Sequence, residues 1–128
     1  MTILKSVTVG VTATGANGSG AGNADSASFL GAIEGIEVNY ASDCPNTADI
    51  TITSKRTGIT IWTLNNANTD VYKAPVIGAV LANDAAVLVA TANGILAKPY
   101  IVDQGVNVAI AGANSATNQV VVTVHYRK

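Results

Sequence analysis

Near the end of the chain Val120, Val122, Val124 and Tyr126 take every second position, with Val121, Thr123 and His125 between them. Side chains that repeat every two residues share one face of an extended strand, whereas a helix repeats every 3.6, so the segment reads as a strand with one buried face. The same phase recurs at Ile3, Lys5, Val7, Val9 and Val11, at Ile50 and Ile52 between Thr51 and Thr53, and at Val106, Val108 and Ile110. Val, Ile and Thr supply 41 of the 128 residues, and their branched side chains suit a pleated sheet better than a helix. The expectation is an all-β fold.

Further strands follow from the same reading. In Phe29 to Tyr40, Ile36, Val38 and Tyr40 share a face, and Gly35 breaks the count. A β-bulge with Gly35 as its extra residue brings Ile33 inside and leaves Glu34 with Glu37 outside, which avoids burying a carboxylate. Ala41 to Thr47 is a turn marked by Asp43, Pro45 and Asn46. Ile50 to Thr53 and Ile59 to Leu64 flank Lys55-Arg56-Thr57-Gly58 as the clearest hairpin. Asn65 to Asp70 is a loop, Val71 to Tyr72 a short strand, and Pro75 with Gly78 marks an edge or irregular passage. Asn93-Gly94 between Ala85–Ala92 and Ile95–Val102 has the composition of a two-residue hairpin turn, with Pro99 confining the second run to an edge. The alanines and leucines of Ala79 to Ala92 also permit a helix, against which stand Val80, Val87, Val89 and the Asn83-Asp84 step. A last hairpin joins Val106–Ile110 to Val120–Tyr126 through Gly112 to Asn118. Seven or eight strands at this spacing predict a sandwich or barrel, with an antiparallel β-sandwich, jelly-roll-like, as the expectation; spacing does not give strand order, so immunoglobulin-like and other sandwich topologies stay open.

Thr14 to Ser28 is built from Gly, Ala, Asn and Ser, with Asp25 its single charge. Such a segment reads as a flexible connection or an arm that orders on a partner. The chain is therefore expected to divide into an N-terminal strand and arm, residues 1–28, and a sandwich body, residues 29–128. Ile3, Val7, Val9 and Val11 are then candidate partner-binding residues, able to add as an edge strand to another sheet.

With 48% apolar and 12% charged residues, the chain reads as one compact domain able to bury a conventional core. A net charge of −1, with no basic run longer than Lys55-Arg56 or Arg127-Lys128, argues against nucleic acid as a partner. Met1 to Gly15 lacks the continuous apolar stretch of a secretion signal. Ala74 to Ala97 is apolar but broken by Pro75, Gly78, Asn83, Asn93 and Gly94, so no membrane span is expected.

The residues able to carry chemistry are sparse. His125 is the one histidine and Cys44 the one cysteine; a nucleophile-and-base pair would have to be built from them, and no flanking motif supports it. Glu34 and Glu37 read as solvated strand carboxylates rather than a glycosidase pair. Asn65, Asn66, Asn68 and Asp70 offer oxygen ligands but lack the spacing and closing glutamate of a calcium loop, so an Asx turn network is expected. Gly18-Ser-Gly20-Ala-Gly22 has no following lysine and no helix pattern, which makes it a linker rather than a phosphate cradle. No enzyme activity, cofactor or metal is expected. Trp62 and Leu64 alternate with Ile59 and Ile61, giving a strand apolar on both faces. Either a second layer of this chain or a neighbouring subunit must cover Trp62.

Gly35-Ile-Glu-Val-Asn-Tyr40, Ala48-Asp-Ile-Thr-Ile-Thr53, the Gly58 turn, Ile59-Thr-Ile-Trp-Thr-Leu64 and Asn68-Thr-Asp70 with Pro75 form one recurrent pattern. Gly105-Val-Asn-Val-Ala-Ile110, a Gly-Ala-Asn loop and Val120 to Tyr126 close it. From about Leu30 to Tyr126 the pattern resembles small virion proteins of tailed bacteriophages. The resemblance implies a capsid decoration or cement protein, usually a homotrimer, on the outer surface of the virion shell after synthesis in the host cytoplasm. It would tie major capsid protein subunits together, with Trp62, Leu64 and Tyr72 as candidate oligomer or capsid contacts. The alternative is a carbohydrate-binding or host-adhesion module of a phage head or tail fibre.

Overall fold

The computed structural model describes residues 3–78 and 97–128. The helix-or-hairpin question over Ala79 to Ala92, the Asn93-Gly94 turn and the start of the run after it lie outside those residues. The strands are β1 (Leu4–Ala13), β2 (Gly20–Asp25), β3 (Gly31–Tyr40), β4 (Asp49–Ser54), β5 (Thr60–Leu64), β6 (Val71–Lys73), β7 (Val76–Gly78), β8 (Ala97–Pro99), β9 (Ile101–Val102), β10 (Val106–Ala113) and β11 (Ala116–Arg127). One sheet runs β1-β11-β3-β6 with β9 added beside β3, and a second runs β2-β10-β4-β5. β7 and β8 form a separate two-stranded ribbon. Apart from the β4–β5 hairpin, which stays within one sheet, successive strands of the sandwich cross between the two main sheets, and β1 lies beside β11. That is jelly-roll order: among the described residues eight strands make the sandwich, and the three short strands β7, β8 and β9 are additions to it.

The core is the alternating set read from sequence. Val9, Val11, Ile36, Val38, Val120, Val122 and Val124 of the larger sheet face Ile50, Ile52, Val106, Val108 and Ile110 of the other, all buried. Phe29 stacks on Tyr126 with ring centroids 4.2 Å apart and closes one end of the sandwich. At the other end the fully buried Gln119 donates to Asp43 Oδ1 at 2.8 Å and accepts from the Asn114 N–H at 3.1 Å. These bonds satisfy a polar group that would otherwise be costly to bury. They also tie the turn carrying Cys44 to the closing hairpin.

The bulge in β3 forms, but its extra residue is Glu34 and not Gly35: His125 pairs with Gly35 and Tyr126 with Ile33. Ile33, Ile36 and Val38 are buried while Glu34 and Glu37 stay on the outer face.

A second bulge corrects the reading of β5. Ile52 pairs with Trp62 and Thr53 with Thr60, leaving Ile61 extra. The bulge turns Ile61, Trp62 and Leu64 all toward the core: Ile61 is buried, and Trp62 and Leu64 pack half-buried against it. Its own core supplies part of the cover that Trp62 requires.

The N-terminal region is the larger correction. β1 pairs with β11 in unbroken register from Leu4–Arg127 to Val11–Val120. Gly20–Asp25, expected as part of a flexible segment, is strand β2, paired with β10. Among the described residues this region thus supplies an edge strand to each sheet, β1 beside β11 and β2 beside β10, where a flexible arm was expected. A strand of Gly, Ala and Asn forms here because backbones come close: a β-carbon on Gly22 would collide with the Thr12 carbonyl. Side chains help as well, since Asn107 Nδ2 donates to Asn23 Oδ1 at 3.2 Å and to Asp25 Oδ1 at 2.9 Å across the pair.

Candidate binding surface

Residues directly opposite each other in an antiparallel pair share a face, so the strand register maps the outer surface of the larger sheet in rows. Leu4, Arg127, Ala32 and Ile101 form one row. Ser6, His125 and Gly35 form the next, then Thr8, Thr123, Glu37 and Tyr72, then Gly10, Val121 and Asn39. Among the described residues no pocket interrupts this face.

The first row is apolar around one cation. Leu4 and Ile101 are 67% and 68% exposed, and Leu30, just before β3, is exposed beside them along the chain. The bulge residue Glu34 faces Arg127, whose Nη2 lies 2.6 Å from Oε1 in an ionic contact. In the middle rows His125 Nε2 is 3.2 Å from Glu37 Oε2. Tyr72 lies over Gly35 with its ring 6.2 Å from the imidazole, tilted by 59°. The Thr8 and Thr123 hydroxyls are 3.1 Å apart. The Arg127–Glu34 ion pair and the His125–Glu37 hydrogen bond are partly solvated, and an exposed ion pair is worth on the order of 0–1 kcal/mol, so a partner's groups can replace such contacts at little loss.

Of the seven binding residues expected from sequence, Tyr72 alone is on this face, 56% exposed. Val9 and Val11 are core, Val7 is half-buried on the core side, and Ile3 is exposed just before β1. Val9 and Val11 therefore cannot serve as contacts of a detachable arm, since their side chains already fill the space between the sheets. Trp62 and Leu64 belong to the core margin. Leu4 and Ile101 were legible only as members of their strands, because the row joining them depends on pairings between distant segments.

The remaining polar groups sort into structural roles. In the Asx loop Asp70 Oδ1 accepts from the Tyr40 N–H at 2.8 Å and Asn68 Nδ2 donates to the Cys44 carbonyl at 3.0 Å. On the second sheet Asp25 is held below the usual carboxylate range by its bond from Asn107 and its pairing with Lys55, 3.2 Å away. Burial, then the Asp43 charge, pushes the Cys44 thiol up, which keeps it protonated and a poor nucleophile. Its turn is tied to Gln119, six positions along β11 from His125, or about 20 Å of strand. Cysteine and histidine are not brought together. Among the described residues no group of three or more His, Cys, Asp or Glu side chains is placed to hold a metal.

No protein-family model matches the sequence, and no curated protein matches it. Among solved structures the chain is similar to the C-terminal CBM6 of LamC, a marine laminarinase from Zobellia galactanivorans. The identity is 6% and the TM-score 0.40, over 95% of this chain and 99% of that one.

Proposed function

We propose that this chain is a non-catalytic structural subunit that works by surface contact, a capsid decoration protein of the tailed-phage kind. The observation that carries the reading is the row Leu4, Arg127, Ala32 and Ile101, in which Leu4 and Ile101 are exposed and Ala32 half-buried, with no pocket among the described residues. Exposed apolar side chains beside replaceable polar contacts have the make-up of a protein contact surface. Repeated over a lattice, a modest contact of this kind holds through avidity. The partner is the major capsid protein at the outer surface of the shell, and neither nucleic acid nor membrane enters.

Co-sedimentation with emptied, expanded heads tests this, with unexpanded shells and host cells as controls. Saturable binding to expanded heads, lost in Leu4→Asp/Ile101→Asp, is the expected result. Binding to none of the shells, or undiminished binding by a folded double variant, would overturn it.

One observation favours a second reading. The exposed Tyr72 ring beside the Glu37–His125 pair offers an aromatic platform flanked by hydrogen-bonding groups, the combination that holds a sugar ring. Binding to cells or glycans but not to shells, abolished by Tyr72→Ala, would establish that adhesion role in its place.

A further inference from the structure

The outer edge of β1 is the strongest unassigned feature. Ile3 and Lys128 exchange two backbone hydrogen bonds, Ile3 N–H to the Lys128 carbonyl at 3.3 Å and Lys128 N–H to the Ile3 carbonyl at 3.0 Å. Antiparallel pairing alternates, so the odd residues from Ile3 to Val11 direct their backbone groups toward β11. The even residues Leu4, Ser6, Thr8 and Gly10 therefore direct theirs away from the sheet. Among the described residues β11 is the one strand paired with this stretch. Only beyond it does β2 arrive, at the Thr14–Ala21 bridge.

Edges of this kind are normally protected by proline, a bulge or several charges. From Leu4 to Gly10 there is no proline, the register is regular, and Lys5 is the single charge. We propose that this edge pairs with the same edge of a second copy, antiparallel about a two-fold axis at Val7. That register joins Leu4 to Gly10 and Ser6 to Thr8 of the other copy, and it is the two-fold register that engages all four outward residues. Charge selects it too: Lys5 falls opposite Val9 rather than the other Lys5, avoiding like charges directly across the pair. Val7, left half-buried at the edge, meets its own copy across the axis in a close, non-hydrogen-bonded pair. The two larger sheets become one continuous sheet through the dimer, and no acidic residue of β1 opposes the contact.

The inference stands apart from the capsid reading, since it concerns the purified chain in solution. It also specifies a symmetry: an edge paired with itself is isologous and closes as a dimer, whereas a trimer needs a head-to-tail contact. The test is sedimentation equilibrium of the full chain. A species of twice 12.9 kDa at tens of micromolar is expected, with Thr8→Pro weakening it at least tenfold. Proline at residue 8 removes an outward N–H and no bond to β11, so far-UV circular dichroism stays unchanged. Should that variant fail to fold, Val7→Cys decides: mild oxidation gives a disulfide-linked dimer, while Val11→Cys and the unaltered chain, with its buried Cys44, give none. A monomer or trimer at these concentrations would overturn the proposal. So would a folded Thr8→Pro protein that dimerises as before, or a Val7→Cys protein that does not cross-link.

Discussion

The Tyr72 ring lies across Gly35, its hydroxyl in the space that a β-carbon on residue 35 would take. Residue 35 belongs to the bulge that keeps Glu34 and Glu37 outside, so the absent side chain serves two ends. It eases the bulge and seats the one exposed aromatic of the outer face.

Replacing Gly35 by alanine should push Tyr72 off the sheet at a cost of about 1 kcal/mol, because the ring can swing outward into water. The same replacement in a Tyr72→Ala background should cost close to nothing. A double-mutant cycle by denaturant unfolding measures the coupling, and additive effects would mean that the two residues do not meet.

Trp62→Ala should lower stability by about 2 kcal/mol, less than a fully buried tryptophan would cost. Because the side chain packs on its own core, sedimentation of the folded variant should match the unaltered chain. A change of oligomeric state without loss of stability would place Trp62 at an interface after all.

Deleting residues 1–28 should abolish folding, since it strips an edge strand from each sheet and uncovers the valines of β11. Loss of the cooperative thermal transition is the expected readout. A truncated chain that melted cooperatively would restore the detachable-arm reading.

Alkaline stability should depend on Tyr40. Burial, then the nearby Cys44 and Asp70, pushes its phenol up from 10.0 to about 12. The folded chain then holds this proton after the unfolded chain has lost it, so the contribution is complete below roughly pH 10, the unfolded value. It is lost as pH rises through about 12. Tyr40→Phe should melt with a shallower fall in Tm over that interval. It should be at least as stable at pH 7, because the Tyr40 hydroxyl is buried without a hydrogen-bond partner. Parallel pH profiles for the two proteins would refute the assignment.

Much of the sandwich was legible because alternation is a one-dimensional signal: β1, β10 and β11 show it plainly, and the Glu34–Glu37 spacing gave away the bulge in β3. Strand β2 was not legible. Gly20–Asp25 has no apolar face, and it is a strand because β10 offers it a free edge and Thr12 leaves no room beside Gly22 for a side chain. The orientation of Trp62 was lost for a related reason, since one extra residue at Ile61 shifts the phase and only the partner strand reveals it. The candidate surface was the least visible part. Leu4, Ala32 and Ile101 come from three strands far apart in the chain, and their adjacency is a property of topology.

The neighbouring positions of β1 and β11 also govern when the molecule can form. Thr8 and Thr123, whose hydroxyls touch, are 115 positions apart, so β1 has no partner until β11 has left the ribosome. Most of its pairings close very long loops, which slows the search and leaves apolar strands uncovered meanwhile. Chains that stop short of residue 120 should therefore be aggregation-prone rather than partly useful, and assembly of this jelly roll waits for β11.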